Sequence, residues 1–185
     1  MNERFSKLIT KTVWLALSFF SLRCMISWKS IINDFSLYDI FGYAGEGIGL
    51  TALLMTLYEK LLWKYSPFED TPVLKRYYEG TLVSTFDGIE RKASLEIKQT
   101  LLSTNIILIS GESKSKSISS SIDNILGEYQ LTYCYLNTPN ASVRERSQIH
   151  YGTAIICVDN ANRLTGQYFS DRKTTGDMIF IPKKD

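Results

Sequence analysis

"GEYQLTYCYLN", residues 127–137, alternates strictly. Tyr129, Leu131, Tyr133, Tyr135 and Asn137 fall on one side, with Glu128, Gln130, Thr132, Cys134 and Leu136 between them. A period of two marks a β-strand that turns one face to a core. The pattern recurs around it. In "QIHYGTAIICV", residues 148–158, the set is His150, Gly152, Ala154 and Ile156; in "RLTGQYFS", residues 163–170, it is Leu164, Gly166 and Tyr168. In "ASLEIKQT", residues 93–100, it is Ala93, Leu95, Ile97 and Gln99. Small residues stand where a narrow interior needs them.

Extended over residues 73–185, this reading predicts eight strands: Tyr77–Phe86, Arg91–Leu101, Asn105–Gly111, Ser115–Ile122, Glu128–Asn137, Gln148–Val158, Arg163–Ser170 and Gly176–Pro182. Turn signals separate them, among them Asp87-Gly88, Asn137-Thr138-Pro139-Asn140 and the run from Asp159 to Asn162. Eight short strands on short loops suit a small up-and-down barrel, whose closure removes exposed strand edges. A two-sheet sandwich is the competing arrangement. A barrel of this size is either filled by side chains or holds one small ligand. Gln99, Asn137 and His150 on inward sets favour the ligand, because an unsatisfied buried polar group is costly. The tract "SGESKSKSISSS", residues 110–121, reads as a solvated loop or a lysine-guarded edge strand, or as a hydroxyl-lined face for a phosphate or base edge.

Upstream the chemistry changes. "LITKTVWLALSFFSLRCMISW", residues 8–28, and the run from Ile40 to Tyr58 each have the length of a helix that crosses a hydrocarbon core. The domain plan is therefore a two-helix hairpin over 1–65, with spans at about 8–28 and 40–62, a linker at 66–72 ("SPFEDTP"), and the strand-rich domain from 73. Trp14, Trp28, Tyr38, Tyr58 and Trp63 lie toward the span ends, where amphipathic rings favour the interface. Buried helices of a soluble domain are the alternative. A signal peptide fits less well, because no small-residue cleavage site follows the first run. Lysine and arginine flank the outer ends of the hairpin, whereas the connecting loop holds only Lys29, so both termini are expected in the cytoplasm.

The first run carries Lys11 near one end and Arg23 near the other, and Glu46 is the only charge between Ile40 and Tyr58. In an antiparallel hairpin Arg23 and Glu46 both lie roughly 8 Å below one interface. An ion pair would remove much of the cost of two lone charges in lipid, within one hairpin or between subunits. The other reading has Arg23 snorkelling outward and Glu46 protonated. Gly45 and Gly49 have the small-residue spacing of close helix contacts, and with the pair they suggest a surface for assembly in the membrane.

Composition narrows the function. A net charge of +2 excludes a chain built to coat DNA or RNA. Cys24, Cys134, Cys157 and the single His150 have no metal-ligand spacing, so no metal and no cofactor are expected. No nucleophile motif is present, and the chain does not read as an enzyme.

A membrane hairpin followed by "GTLVSTFDG", "LEIKQT", "LTYCYLN", "HYGTAII" and "LTGQYF" resembles the two-transmembrane, β-barrel effectors of bacterial cyclic-oligonucleotide antiphage signalling (CBASS). The resemblance spans nearly the whole chain and rests on strand order rather than one sharp motif. It implies an inner-membrane protein with a lipocalin-like cytoplasmic barrel. That barrel would bind a cyclic di- or trinucleotide made by a cognate nucleotidyltransferase (CD-NTase). Binding would drive homo-oligomerisation in the bilayer, membrane disruption and death of the infected cell. Such a ligand needs aromatic faces and phosphate partners. The candidates are Tyr78, Tyr133, Tyr135 and Tyr168 for stacking, with Gln99, Asn137 and His150 for base edges. Arg163, Arg172 and the Thr174-Thr175-Gly176 turn would serve the phosphates. A membrane-anchored barrel carrying a lipid, or a docking subunit of a membrane complex, is the alternative.

Overall fold

The computed structural model describes residues 3–34 and 36–184. The chain divides after Glu69 into two units. In the first, α1 (Glu3–Ile26) and α3 (Leu37–Lys60) flank a short helix, α2 (Trp28–Asn33), that occupies the first part of the expected loop. No proline interrupts them, and both long helices have the length and composition to cross a membrane. They pack antiparallel, with Lys11 beside Tyr58 and Arg23 beside Glu46.

Arg23 Nε donates to Glu46 Oε2 at 2.7 Å and its Nη1 to Ser27 Oγ at 2.8 Å, while the guanidinium lies 4.6 Å from the Tyr43 ring centre. The ion pair therefore forms within one hairpin. The close helix approach is at Gly47, where an added Cβ would stand 3.3 Å from the Phe20 nitrogen. Gly45 and Gly49 lie off this contact, with nothing within 4 Å of an added Cβ. Trp14 is a correction. Because α1 begins at Glu3, this residue falls near the middle of the helix rather than toward its end. Past the second helix, Glu69 accepts from Lys11 Nζ and from Tyr58 Oη, each at 2.6 Å. Burial pushes its carboxyl up, but these bonds outweigh that and hold it below the ordinary range.

In the second unit, β1 (Tyr77–Ser84), β2 (Glu90–Gln99), β3 (Thr104–Ser110), β4 (Ser113–Ile125), β5 (Glu128–Pro139), β6 (His150–Asn160), β7 (Arg163–Ser170) and β8 (Thr175–Pro182) pair in chain order. β1 also pairs with β8, Tyr78 facing Leu95 on one side and Pro182 on the other, so the sheet closes. The barrel, not the sandwich, is the fold. Inward residues alternate as the sequence predicts: Leu95, Ile106, Leu131, Ile156, Leu164 and Phe180 are each no more than 1% exposed.

Three local differences bear on function. The serine tract is strand over most of its length, and a bulge between Ser117 and Ser119 throws Ile118 outward. β5 runs on to Pro139, so Asn137 is a buried strand residue rather than part of a turn. β8 starts at Thr175, which leaves Thr174 alone of its triplet in the turn. The β4–β5 connection is a two-residue turn, Leu126-Gly127, with φ of 54° and 96°. Such backbone matches the twist of the flanking strands, and glycine takes the second position without steric cost.

The chain enters the barrel at an end that is plugged. Leu74 and Leu101 are buried there. Gln99 accepts from the Leu74 N–H and donates to the Pro72 carbonyl, both at 2.9 Å. The Tyr78 hydroxyl accepts from the Lys75 N–H and donates to the Ala161 carbonyl, again both at 2.9 Å. Two side chains thus fasten the lead-in segment across the barrel mouth.

Candidate ligand-binding cavity

The opposite end is open. The β1–β2, β3–β4, β5–β6 and β7–β8 connections surround a cavity of about 190 Å³. Strand alternation sets its layers. The deepest lining residues of β1, β3, β5 and β8 are Leu82, Leu108, Tyr133 and Met178, an apolar base with one phenol. Above it Ser115 and Asn137 face inward beside Tyr135 and Tyr168. The rim carries Arg91, Arg146 and Arg172 against two lining carboxylates, Asp87 and Glu112.

Two glycines make the cavity possible. A Cβ at Gly152 would lie 2.3 Å from the Tyr135 hydroxyl, and one at Gly176 would lie 2.6 Å from Tyr168 Cε1. Any side chain at these positions would push the rings into the lumen. With glycine there, the tyrosines lie back into the wall and offer their faces. Tyr133 and Tyr135 have ring centres 5.9 Å apart at 51°, a tilted aromatic pair.

Polar groups in the wall divide into used and unused. Ser115 Oγ donates to Asn137 Oδ1 at 2.8 Å, and both residues are 7% exposed. The Asn137 amide nitrogen and the Tyr133 and Tyr135 hydroxyls have no hydrogen-bond partner among the described residues. Burial pushes both phenols well above their ordinary range, so they stay protonated donors. His150 Nδ1 sits 2.8 Å from the Gln148 carbonyl and donates to it, which leaves Nε2 as an acceptor.

At the rim, Arg91 grips Asp87 through Nη1 and Nη2, and this hydrogen bonding holds the Asp87 carboxyl down to about 2. Arg146 Nη2 meets Glu112 Oε1 at 2.5 Å. Arg172 ties two loops together, donating to Ser147 Oγ at 2.9 Å and to the Arg146 carbonyl at 3.1 Å.

Of the ten residues expected to bind, Tyr133, Tyr135, Asn137, His150, Tyr168, Arg172 and Thr174 line this cavity. The structure does not bring the other three to it. Tyr78 and Gln99 hold the plugged end, and Arg163 begins β7 at that same end. The sequence reading missed Arg91, Arg146 and the rim carboxylates. Arg91 was within reach, because it precedes Ala93, Leu95 and Ile97 on the inward period. Arg146 was not, since it lies in the β5–β6 connection, where no periodicity operates. Ser115 belongs to the serine tract, on the face that one of its readings gave to a ligand.

Residues 70–181, the lead-in segment and all of the barrel but the last residue of β8, match the family model of the Cap15 cyclic dinucleotide receptor domain. The chain belongs to that family. It is also similar along its length to CD-NTase-associated protein 15 of Staphylococcus schleiferi, with 32% identity over 188 residues covering 96% of this chain and 97% of that protein. The receptor domain is thus the eight-stranded barrel, and the tyrosine-walled cavity is the concave polar site that the barrel offers.

Proposed function

We propose that the cavity binds a cyclic dinucleotide and that binding is read out by the helical hairpin. One observation carries the reading: three arginines surround the mouth of a cavity walled by tyrosine faces. A cyclic dinucleotide carries two phosphodiester anions and two flat bases. Guanidinium groups pair with phosphate oxygens through two parallel donors, and bases stack on aromatic rings. Tyr135 and Tyr168 are the stacking walls; Arg146 and Arg172 meet phosphate with Thr174 beside them, and His150 Nε2 faces a base-edge donor. Their present partners are a carboxylate, a hydroxyl and a carbonyl, which a phosphate can displace. The likeness to a CD-NTase-associated protein supports a nucleotidyltransferase of that class as the source of the signal.

In this reading the chain is a CBASS effector of the bacterial inner membrane, with α1 and α3 spanning it and both termini cytoplasmic. Residues 1–65 anchor, 66–72 link, and the barrel from 73 senses. A ligand drives assembly only by binding the assembled state more tightly than the free one. Gly45 and Gly49, open on the hairpin surface, provide a face for a neighbouring helix, and membrane disruption follows assembly.

Titration calorimetry of the full chain in detergent micelles, against a panel of cyclic dinucleotides, tests the receptor step. One member binds, and the double variant Arg146→Ala/Arg172→Ala loses about a hundredfold or more in affinity, from two charge-assisted contacts of about 1.5–3 kcal/mol each. A folded chain that binds no member overturns the receptor reading. Ligand-saturated protein that stays monomeric overturns the assembly step alone.

A further inference from the structure

Resting on the receptor reading, we propose that Ser115 and Asn137 read the edge of one nucleobase and select a carbonyl-bearing base, guanine or uracil, over adenine. The selection applies at one of the ligand's two base positions.

The argument is an inventory of donors. A side-chain amide has one acceptor and two donors. Ser115 Oγ occupies one lone pair of Asn137 Oδ1 and thereby holds the oxygen toward Ser115, which fixes which way the amide faces. What Asn137 then offers the cavity is its NH₂ group. The Tyr133 and Tyr135 hydroxyls can donate or accept, so they do not discriminate; the amide does. A ligand that covers this donor without accepting from it leaves it unpaired at a cost of about 1–3 kcal/mol, and a ligand that accepts from it avoids that cost. Guanine presents O6 and N7, and uracil presents O4, as acceptors. Adenine offers the amide a single acceptor, N7, flanked by an amino group that meets the Asn137 NH₂ donor to donor.

Size makes the reading one-sided. Sites that enclose a drug-sized ligand run to roughly 300–1,000 Å³. The cavity here holds about 190 Å³, so one nucleoside enters between the tyrosines. The phosphates stay level with Arg146 and Arg172, and the second base remains at the rim.

Calorimetry on the full chain in detergent tests this with cyclic di-GMP, cyclic di-UMP, cyclic di-AMP, cyclic GMP–AMP and cyclic UMP–AMP. The tighter of the two keto homodimers binds at least about tenfold better than cyclic di-AMP. Its mixed counterpart with adenine binds within about twofold of it, the statistical weight of two equivalent orientations against one. Ser115→Ala frees the amide to turn its carbonyl inward, and the gap to cyclic di-AMP shrinks by about tenfold while the melting temperature holds. Asn137→Leu removes the discrimination altogether. Binding without any keto preference, or a preference untouched by Ser115→Ala, overturns the edge reader and leaves the receptor standing. A mixed ligand far weaker than the keto homodimer overturns the one-sided insertion. No binding by any member removes the receptor reading and this inference with it.

Discussion

The two ends of the barrel use the same side-chain types to opposite effect. At the plugged end, the Tyr78 hydroxyl and the Gln99 amide spend their hydrogen bonds on backbone of the lead-in segment and of the β6–β7 turn. At the open end, the Tyr133 and Tyr135 hydroxyls and the Asn137 amide nitrogen have no such partner among the described residues. All are well buried or half-buried and all stand on the inward period. What separates a structural polar group from one available to a ligand here is whether the chain itself supplies the partner. That contrast makes distinct predictions for the two ends.

The largest effect falls on stability at the plugged end. Tyr78 is fully buried and bonds across 83 residues of sequence to Ala161. Tyr78→Ala removes a large core side chain and unfastens two backbone groups, so the barrel loses about 3–5 kcal/mol. Denaturant unfolding of the full chain in detergent, followed by circular dichroism, measures it. Tyr135→Ala, at the open end, lowers ligand affinity by about tenfold or more through lost stacking, and costs stability less. If the two variants exchange these signatures, the contrast between the ends is wrong.

Next in size is Gly152→Ala. The added methyl collides with the Tyr135 ring, which must swing into the lumen or strain the wall. Overpacking of this kind costs about 1–3 kcal/mol. The ring then occupies the base site, and affinity falls by about tenfold. Combining Gly152→Ala with Tyr135→Phe, which keeps the ring, leaves the affinity loss in place; combining it with Tyr135→Ala relieves only the ring's share of the stability cost, because the methyl still stands 2.7 Å from the Phe169 carbonyl oxygen. A Gly152→Ala chain with unchanged affinity breaks the claim that glycine creates this cavity.

The sequence carried the barrel well and the site unevenly, for one physical reason. Periodicity reports which face a residue turns to, so Leu131, Tyr133, Tyr135 and Asn137 were legible as an inward row. Periodicity does not report depth along the barrel axis. Tyr78 and Gln99 share the inward face with Tyr133 and Asn137, and only the path of the lead-in segment distinguishes them. Loop residues have no period at all, which is why Arg146 escaped notice while Arg172 was found only as a cation in a turn. In the hairpin, matched depth gave the Arg23–Glu46 pair from spacing alone. Which glycine meets the neighbouring helix was not legible, because that depends on the rotation of each helix about its axis.

The alkaline limb of stability sharpens the comparison further. Tyr78, Tyr133 and Tyr135 all have phenols pushed up by burial. Their folded values lie above the unfolded value near 10, so stability is flat below about pH 10 and falls as pH rises past it. Each such tyrosine adds a slope of up to about 1.4 kcal/mol per pH unit. Unfolding midpoints across that range measure it. Tyr133→Phe removes one proton from the slope.

The smallest effect lies at acid pH and concerns the rim. Asp87 is held at about 2 by hydrogen bonds from Arg91, below its ordinary 3.8. A depressed carboxyl contributes stability that is present above the unfolded value and is lost as pH falls through the folded one, here between about pH 4 and 2. The pair is partly exposed at the rim and reached by solvent and salt, so the contribution is small and fades with salt. Its use is therefore in the ligand's favour. Asp87→Asn releases Arg91 at neutral pH and gives the rim one more uncompensated cation. Affinity for a cyclic dinucleotide then rises a few-fold at low ionic strength and returns to the parent value as salt is added. A variant that binds more weakly at every salt concentration would mean that the Asp87–Arg91 clasp shapes the mouth, and that Arg91 serves the loop rather than the phosphates.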